Sequence, residues 1–433
     1  MRLTNLKLNL RQNNGFCFGA LNCIIKILML PFGGGMEAKL KVAITGGAGR
    51  QILATIYDLV ENDDVESVLL TDLSEEALNK RKALVSSSKI KTQVCDITDI
   101  KQMSELLKPY DVVVNGSSHI FNLDVMEACL ASKTNYTDLG GLFHWALKQL
   151  KRHDDFKAAG ITGIVGSGSA PGIVNVFAKY GADRLDTVDT VLILDAIINP
   201  NAGGYKFTPP YALNTIVEEF TANNFEFING KMEELPPFSG KITVDFHEPY
   251  GTLNLYNMIH SEVATMPLSF KDKGIQNVAF KLALPAIFEE RLRFLIENGL
   301  AGKEPINVKG TQIVPRDVLM ELFEVKPGEQ RVASSAPSDK KLLRVLIKGT
   351  KAGKKLTYVV ETDLGFYPWG MPNNAFTVGF PAAITARMLG NNQIPEKGFF
   401  SGESVIDPDI YFRELARRDI EVKVDVVDGW IEP

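Results

Sequence analysis

From Lys41 to Ala182 the chain alternates short runs of β-branched and aliphatic residues with stretches whose apolar positions recur every three or four residues. The runs are apolar nearly throughout, which a strand tolerates only when both faces of its sheet are covered. Six strands are predicted in this way: KVAIT, SVLLT, IKTQV, DVVVN, TNYTD and TGIVG. Helices are predicted between them. SEEALNKRKALV starts at Ser74, with serine and the following glutamates as a capping box. DIKQMSELL is capped by Asp99, and NLDVMEACLAS follows the fourth strand. Strand and helix in strict alternation predict an α/β fold with a doubly wound parallel sheet of the Rossmann type.

After GSGSAPGIVNVFAKYGADRLD the strands lengthen and prolines become more frequent. VDTVLILDAI and IQNVAFKLAL read as strands, the second with Val278, Phe280 and Leu282 on one face. LLRVLIKGTKAGKKLTYVVET reads as a hairpin around a Gly-containing turn. These elements predict an α+β domain with a mixed sheet. FPAAITARMLG and DPDIYFRELARRD read as amphipathic helices, the second capped by Asp407 with Pro408 in its first turn. The expected division is therefore a nucleotide-binding domain over residues 37–182, a substrate and oligomerisation domain over 183–375, and a return of 376–433 to the first domain.

Composition narrows the function. With 47 Lys and Arg against 52 Asp and Glu, the net charge of -5 gives no basic footprint for nucleic acid or anionic lipid. A small-molecule substrate is the expectation. Cys17, Cys23, Cys95 and Cys129 have neither metal-ligand spacing nor the density of a disulfide framework, so a reducing cytoplasm and no metal are expected. Residues 1–36 are apolar in part, but Lys26 interrupts the run and no membrane span is predicted. Synthesis is expected to start at Met36, just after Gly33, Gly34 and Gly35.

The first strand ends in TGGAGRQI, which places Gly47, Gly49, Arg50, Gln51 and Ile52 at a strand-to-helix turn. Glycines there let backbone N–H groups and the positive helix end approach a pyrophosphate. Ile52 stands where such a loop usually carries a third glycine for close helix packing, so the helix is expected to sit further out or the side chain to turn aside. Ala54 offers some of the missing closeness. Asp72 ends the second strand, where a carboxylate accepts hydrogen bonds from the adenosine ribose and repels a 2′-phosphate. NAD is the expected cofactor, and NADP remains open because Lys80 and Arg81 follow on the helix.

Other strand ends line the same crevice. Asp96 and Ile97 are candidates to flank the adenine, or they simply start a helix. Asn115, Gly116 and Ser117 offer polar groups near the nicotinamide ribose, and Pro171 and Gly172 open a helix that carries Asn175 one turn in. Proton transfer in such a crevice needs a base near neutrality. His260 and Glu262, two apart and so on one face of a strand, form a candidate pair in which the carboxylate raises the basicity of the imidazole. Asp138, at the end of the fifth strand, is a rival base and His119 a weaker one. Lys206, Arg291, Arg293, Tyr211 and Asn175 are candidates to bind substrate.

Taken together, GGAGRQI, TDLS, VVVNGSS, YTDLGG and GSGSAPGIVNVFA, followed by VPRDVL, LLRVLIKG and DIYFRELARRDIEV, resemble the saccharopine dehydrogenase family in its saccharopine reductase and lysine 6-dehydrogenase-like branch. The residues that match are Gly47, Gly49, Asp72, Asn115, Asp138, Gly140, Pro171, Gly172 and Asn175. The resemblance implies an NAD(P)-dependent enzyme that oxidises or reduces the C–N bond of an amino acid such as lysine or saccharopine. It also implies a discontinuous first domain and a homodimer or homotetramer built through the second. Two alternatives stand beside that reading. One is a homospermidine-synthase-like or carboxynorspermidine-type polyamine enzyme, and the other is a non-catalytic NAD-binding protein.

Overall fold

The computed structural model describes residues 39–199, 207, 209–323, 340–365 and 373–433. The N-terminal extension and Lys206 lie outside them. The first sheet has seven parallel strands rather than six. Their order in space is Gly398–Ser401, Thr162–Val165, Asn135–Asp138, Val112–Asn115, Leu40–Thr45, Val65–Asp72 and Ile90–Val94. The order reverses between Leu40–Thr45 and Val112–Asn115, so the crevice of a doubly wound sheet opens beyond Thr45 and Asn115.

The seventh strand comes from the C-terminal part of the chain. Helix Asn373–Gly390 packs against helix Leu53–Glu61, where Thr55 donates to the Gly379 carbonyl at 2.8 Å. Arg418 grips Asp58 through two nitrogens, at 2.6 and 2.8 Å, and both side chains are buried. Such a bidentate pair holds the register of helix Leu53–Glu61 against the segment after helix Pro408–Ala416, because a shift would strip the buried Asp58 carboxylate of its partner. Helix Pro408–Ala416 begins as its sequence predicts: Asp407 accepts from the amides of Asp409 and Ile410. Ser74 likewise accepts from Ala77 N, but residue 77 is alanine, so the reciprocal half of the expected capping box is missing.

The second sheet has nine strands and is mixed. At its centre Thr187–Ile198 lies parallel to Asn277–Ala283 and antiparallel to Lys340–Lys351. Lys340–Lys351 turns into Lys354–Leu364 through Ala352 and Gly353, both at positive φ, the conformation that two-residue hairpin loops require. The final strand, Lys423–Asp428, pairs with Lys354–Leu364. The chain's last segment therefore enters the second sheet rather than staying with the first, as the expected return had it. Among the described residues no helix is long and apolar enough to cross a membrane.

Candidate active site

The glycine loop keeps its fold through its own backbone. Gly47 N donates to Thr71 O and Gly49 N to Gly46 O, each at 2.9 Å. Gly46, which the sequence reading passed over, has φ +62°, and a Cβ there would lie 2.8 Å from Ser117 N. Arg81 lies beneath the loop and donates to the carbonyls of Ala48 and Gly49 at 2.8 Å. It is therefore a tether of the loop, through one nitrogen of its guanidinium. Asp72 is half-buried at the loop's edge, accepting from Ala48 N at 3.2 Å and Ser74 N at 3.4 Å.

Ile52 is fully buried, and its Cδ1 lies where a Cβ on Gly116 would come within 3.0 Å. The side chain has turned down onto Gly116 and leaves the loop's outer edge clear. Close helix packing is supplied one turn on, where a Cβ at Gly379 would stand 2.7 Å from that of Ala54. A positive helix end, a turn that only glycine can make and a carboxylate at the next strand end together fit a nicotinamide dinucleotide. The buried Gln51 Oε1, without a donor among the described residues, adds an acceptor beside the loop.

Several residues expected in the crevice are instead committed inside the protein. Asn115 is buried; its Oδ1 accepts from Thr45 Oγ1 and Ser117 Oγ, both at 2.6 Å, and its Nδ2 donates to Asn122 Oδ1 at 2.9 Å. Gly116 and Ser117 pack against Ile52 and Gly46 in the same turn. Asp138 is buried with its acceptor positions filled: Gly140 N and Gly166 N on Oδ1 at 2.8 Å, Tyr136 OH at 2.9 Å and Gln149 Nε2 at 2.6 Å on Oδ2. Burial raises its pKa while those four bonds oppose the rise. No lone pair is left to take a substrate proton, so Asp138 ties strand ends together and is not a base.

Asn175 is also turned inward. Its Oδ1 accepts from Gly172 N at 2.8 Å and its Nδ2 donates to Glu403 at 2.7 Å, which makes it a helix cap rather than a substrate ligand. Pro171 fills the space between Gly140 and Gly166, neither of which has room for a Cβ. Asp96 is exposed and accepts from Thr98 N and Oγ1 at 2.9 and 2.7 Å, the geometry of an Asx turn that starts the helix. Ile97 packs half-buried beside it. Arg293 pairs with Glu289 at 3.0 Å and stacks over Phe238, away from a free substrate carboxylate.

A different set of residues meets at the crevice. His260 is extended and caps helix Ser261–Ser269, with Glu262 in the first turn, so the two meet at a helix start rather than on the expected strand. His260 Nδ1 bonds Glu262 Oε2, and the imidazole stacks flat on Phe280 with centroids 3.8 Å apart. Tyr211 donates to Glu219. Asp195 pairs with Lys341 at 3.0 Å, and Lys341 donates to Ser169 at 3.0 Å, joining the second sheet to the loop that leaves the first.

Three carboxylates, those of Asp195, Glu219 and Glu262, are thus buried around one lysine and one histidine. Burial lowers the imidazole's pKa, but Glu262, Glu219 and Asp195 together more than offset it and hold it above the usual value. Burial also raises Asp195, against Lys341, and carries Glu219 up to about 7. Asp195 Oδ1 and Glu262 Oε1 are buried with no donor among the described residues. A buried acceptor without a donor costs about 1–3 kcal/mol, and more when charged, so two of them in one cluster mark a place for a cationic N–H ligand.

Sequence reasoning missed Asp195, Glu219 and Lys341. Each had a signal. Asp195 interrupts the apolar run VLILDAI, and Glu219 lies three residues after Ile216, on the buried face of helix Leu213–Thr221.

Residues 42–164 match the saccharopine dehydrogenase NADP binding domain, and residues 168–420 match the saccharopine dehydrogenase C-terminal domain. The chain belongs to the saccharopine dehydrogenase family. It is an NAD(P)-binding protein of that family, with the family's parallel sheet and mixed second sheet. Among its relatives, carboxynorspermidine synthase of Vibrio alginolyticus is 26% identical over 366 residues, spanning 78% of this chain and 84% of that protein. Carboxyaminopropylagmatine dehydrogenase of Synechocystis sp. is 25% identical over 410 residues, spanning 90% of this chain and 98% of that protein. In fold, the chain resembles apo saccharopine dehydrogenase (L-Glu forming) from Saccharomyces cerevisiae, with TM-score 0.68 and 17% identity over 90% of this chain and all of that one. Homospermidine synthase from Legionella pneumophila in complex with NAD gives TM-score 0.64 at 13% identity, covering 92% of this chain and 95% of that one.

Proposed function

We propose that this family member is an NAD(P)-dependent oxidoreductase of carboxylated polyamines, joining a cationic amine to an amino acid that carries a terminal aldehyde. The observation that carries this reading is the acid-rich cluster of Asp195, Glu219 and Glu262, with its two donorless oxygens. Saccharopine, which carries several carboxylates, is the poorer fit to a cluster built mostly of acidic side chains. The names of the two relatives above point the same way, so the polyamine reading is preferred to the amino-acid dehydrogenase first expected.

The bound nicotinamide supplies the hydride that reduces the new C–N linkage. The chain's own residues bind, orient and move protons. Asp195 and Glu219 hold the amine as a cation, and His260 takes the proton that the attacking nitrogen must lose. Condensation of that amine with the aldehyde releases water. His260, kept in orientation by Glu262 and flat against Phe280, returns that proton to the nitrogen of the imine, so that hydride addition at its carbon leaves a neutral secondary amine. Lys341, fixed by Asp195 and Ser169, is placed to meet the carboxylate of the aldehyde partner. Asp72 receives the adenosine ribose and favours NAD over NADP.

The test is a screen of reduced cofactor consumption with 1,3-diaminopropane or agmatine, each given a short amino-acid aldehyde. Consumption that requires both partners supports the proposal. Reduction of NAD by lysine or saccharopine alone, with no reaction of the pair, overturns it.

A further inference from the structure

A cavity of about 340 Å³ lies beside the acid cluster, between helix Phe143–Leu150 of the first sheet's layer and helix Leu213–Thr221 of the second. Its walls include His144, Trp145, Glu218, Phe225, Glu234 and Ile259. Two of these adjoin the cluster along the chain: Glu218 precedes Glu219, and Ile259 precedes His260. One helix thus aims consecutive glutamates at two compartments, because successive helical residues point about 100° apart.

The walls have the chemistry of a cation receptor. Trp145 presents an indole, Phe225 stacks on Phe143 with centroids 4.1 Å apart, and Glu218 and Glu234 supply carboxylates. Aromatic faces and carboxylates together attract ammonium and guanidinium groups. The chain's own cations already show this affinity. Lys148 Nζ lies 4.3 Å from the Trp145 ring centre, and Lys303 Nζ lies 3.6 Å from Glu218. Both lysines are exposed and free to move away when a ligand arrives. Asn223 steadies Glu234 through a 2.8 Å bond. His119 stands edge-on to Trp145 at 5.8 Å, and burial lowers its pKa against the opposing pull of Glu218 and Asp138.

We infer that this cavity receives the distal cationic arm of the amine substrate, an aminoalkyl or guanidinoalkyl group, while the reacting nitrogen sits in the acid cluster. The inference rests on the amine reading of that cluster. It makes Trp145, Glu218 and Glu234 specificity residues: they select amines with a second positive charge and take no part in proton transfer.

The experiment compares 1,3-diaminopropane and agmatine with propylamine, which has no distal charge, in the full chain and in Glu218→Gln with Glu234→Gln. Wild type is expected to show a KM for the dications about tenfold or more below that for propylamine. In the double variant that ratio falls toward one, and Trp145→Leu lowers it too, while the Kd for NAD(P)H stays constant. A ratio unchanged by the double variant overturns the inference. Calorimetric binding of the same three amines separates this failure from that of the parent reading. If no amine is turned over yet dications bind and the double variant weakens them, the cavity stands and the reaction falls. Equal binding of dications by wild type and double variant removes the cavity.

Discussion

Ala54 and Gly379 meet at the crossing of helices Leu53–Glu61 and Asn373–Gly390, so closely that a Cβ on residue 379 would stand 2.7 Å from Ala54 Cβ and 2.8 Å from Thr55 N. The contact lies just behind the glycine loop, and its tightness sets how far that loop sits from the sheet. Gly379→Ala would push against backbone, which cannot yield as a flexible side chain does. It is expected to lower stability by about 1–3 kcal/mol and to weaken NAD(P)H binding. Denaturant unfolding and fluorescence titration of the cofactor check both. Unchanged stability would show that the helices separate without cost.

Asp72 is the residue proposed to set the choice between NAD and NADP. Its Oδ2 takes Ala48 N and its Oδ1 faces Ser74 N, which orients the carboxylate at the crevice edge. Asp72→Ala removes the charged acceptor for the ribose, a loss of about 1.5–3 kcal/mol, or roughly tenfold to a hundredfold in NAD affinity. NADP affinity is expected to fall less or to rise, since the repulsion of a 2′-phosphate goes with it. Equal weakening of both cofactors would argue against this role.

Much of this was legible in the sequence and some was not, for physical reasons. The six strands and the glycine turn follow from apolar runs and glycines, which report local backbone demands. The seventh strand, Gly398–Ser401, is four residues long and has too little pattern to stand out. Asp138, Asn115 and Asn175 looked available because a polar residue at a strand end reads the same whether it faces a ligand or a buried partner. Only the fold shows Thr45 and Glu403 arriving from distant sequence to take Asn115 and Asn175, and Gln149 folding back onto Asp138. The His260–Glu262 pair was found, but for the wrong local reason: it forms at a helix start and not along a strand.

The proton-transfer role separates His260 from Asp138. Glu262→Gln removes the carboxylate that raises the imidazole's pKa, so kcat is expected to drop by about 10²-fold, with the acidic limb of its pH profile moved to lower pH. Asp138→Asn places an amide N–H against the donors Gln149 Nε2 and Tyr136 OH. Stability should fall by about 1–3 kcal/mol while the pH profile of kcat keeps its shape. A shifted profile in Asp138→Asn would restore that residue as the base.

Glu219 gives a pH signature. Burial first, with Asp195 adding to it and His260 opposing, raises its pKa from 4.5 to about 7. Between those values the folded protein holds a proton that the unfolded chain has released. The group's contribution to stability is therefore full below 4.5 and is lost as pH rises through about 7. A bound cation favours the ionised form, so amine binding near neutral pH should release a proton and tighten as pH rises. Calorimetry in buffers of different ionisation heat measures that release. Glu219→Gln should abolish it, and its absence from the wild-type protein would contradict the assignment.

The central claim is tested most directly by the stoichiometry of a single reaction mixture. Purified protein is incubated with 1,3-diaminopropane or agmatine, a short amino-acid aldehyde and reduced cofactor, and mass spectrometry quantifies the product. One carboxylated secondary amine is expected for each reduced cofactor consumed. Product formed without net cofactor consumption, or cofactor consumed without any new C–N bond, would contradict it.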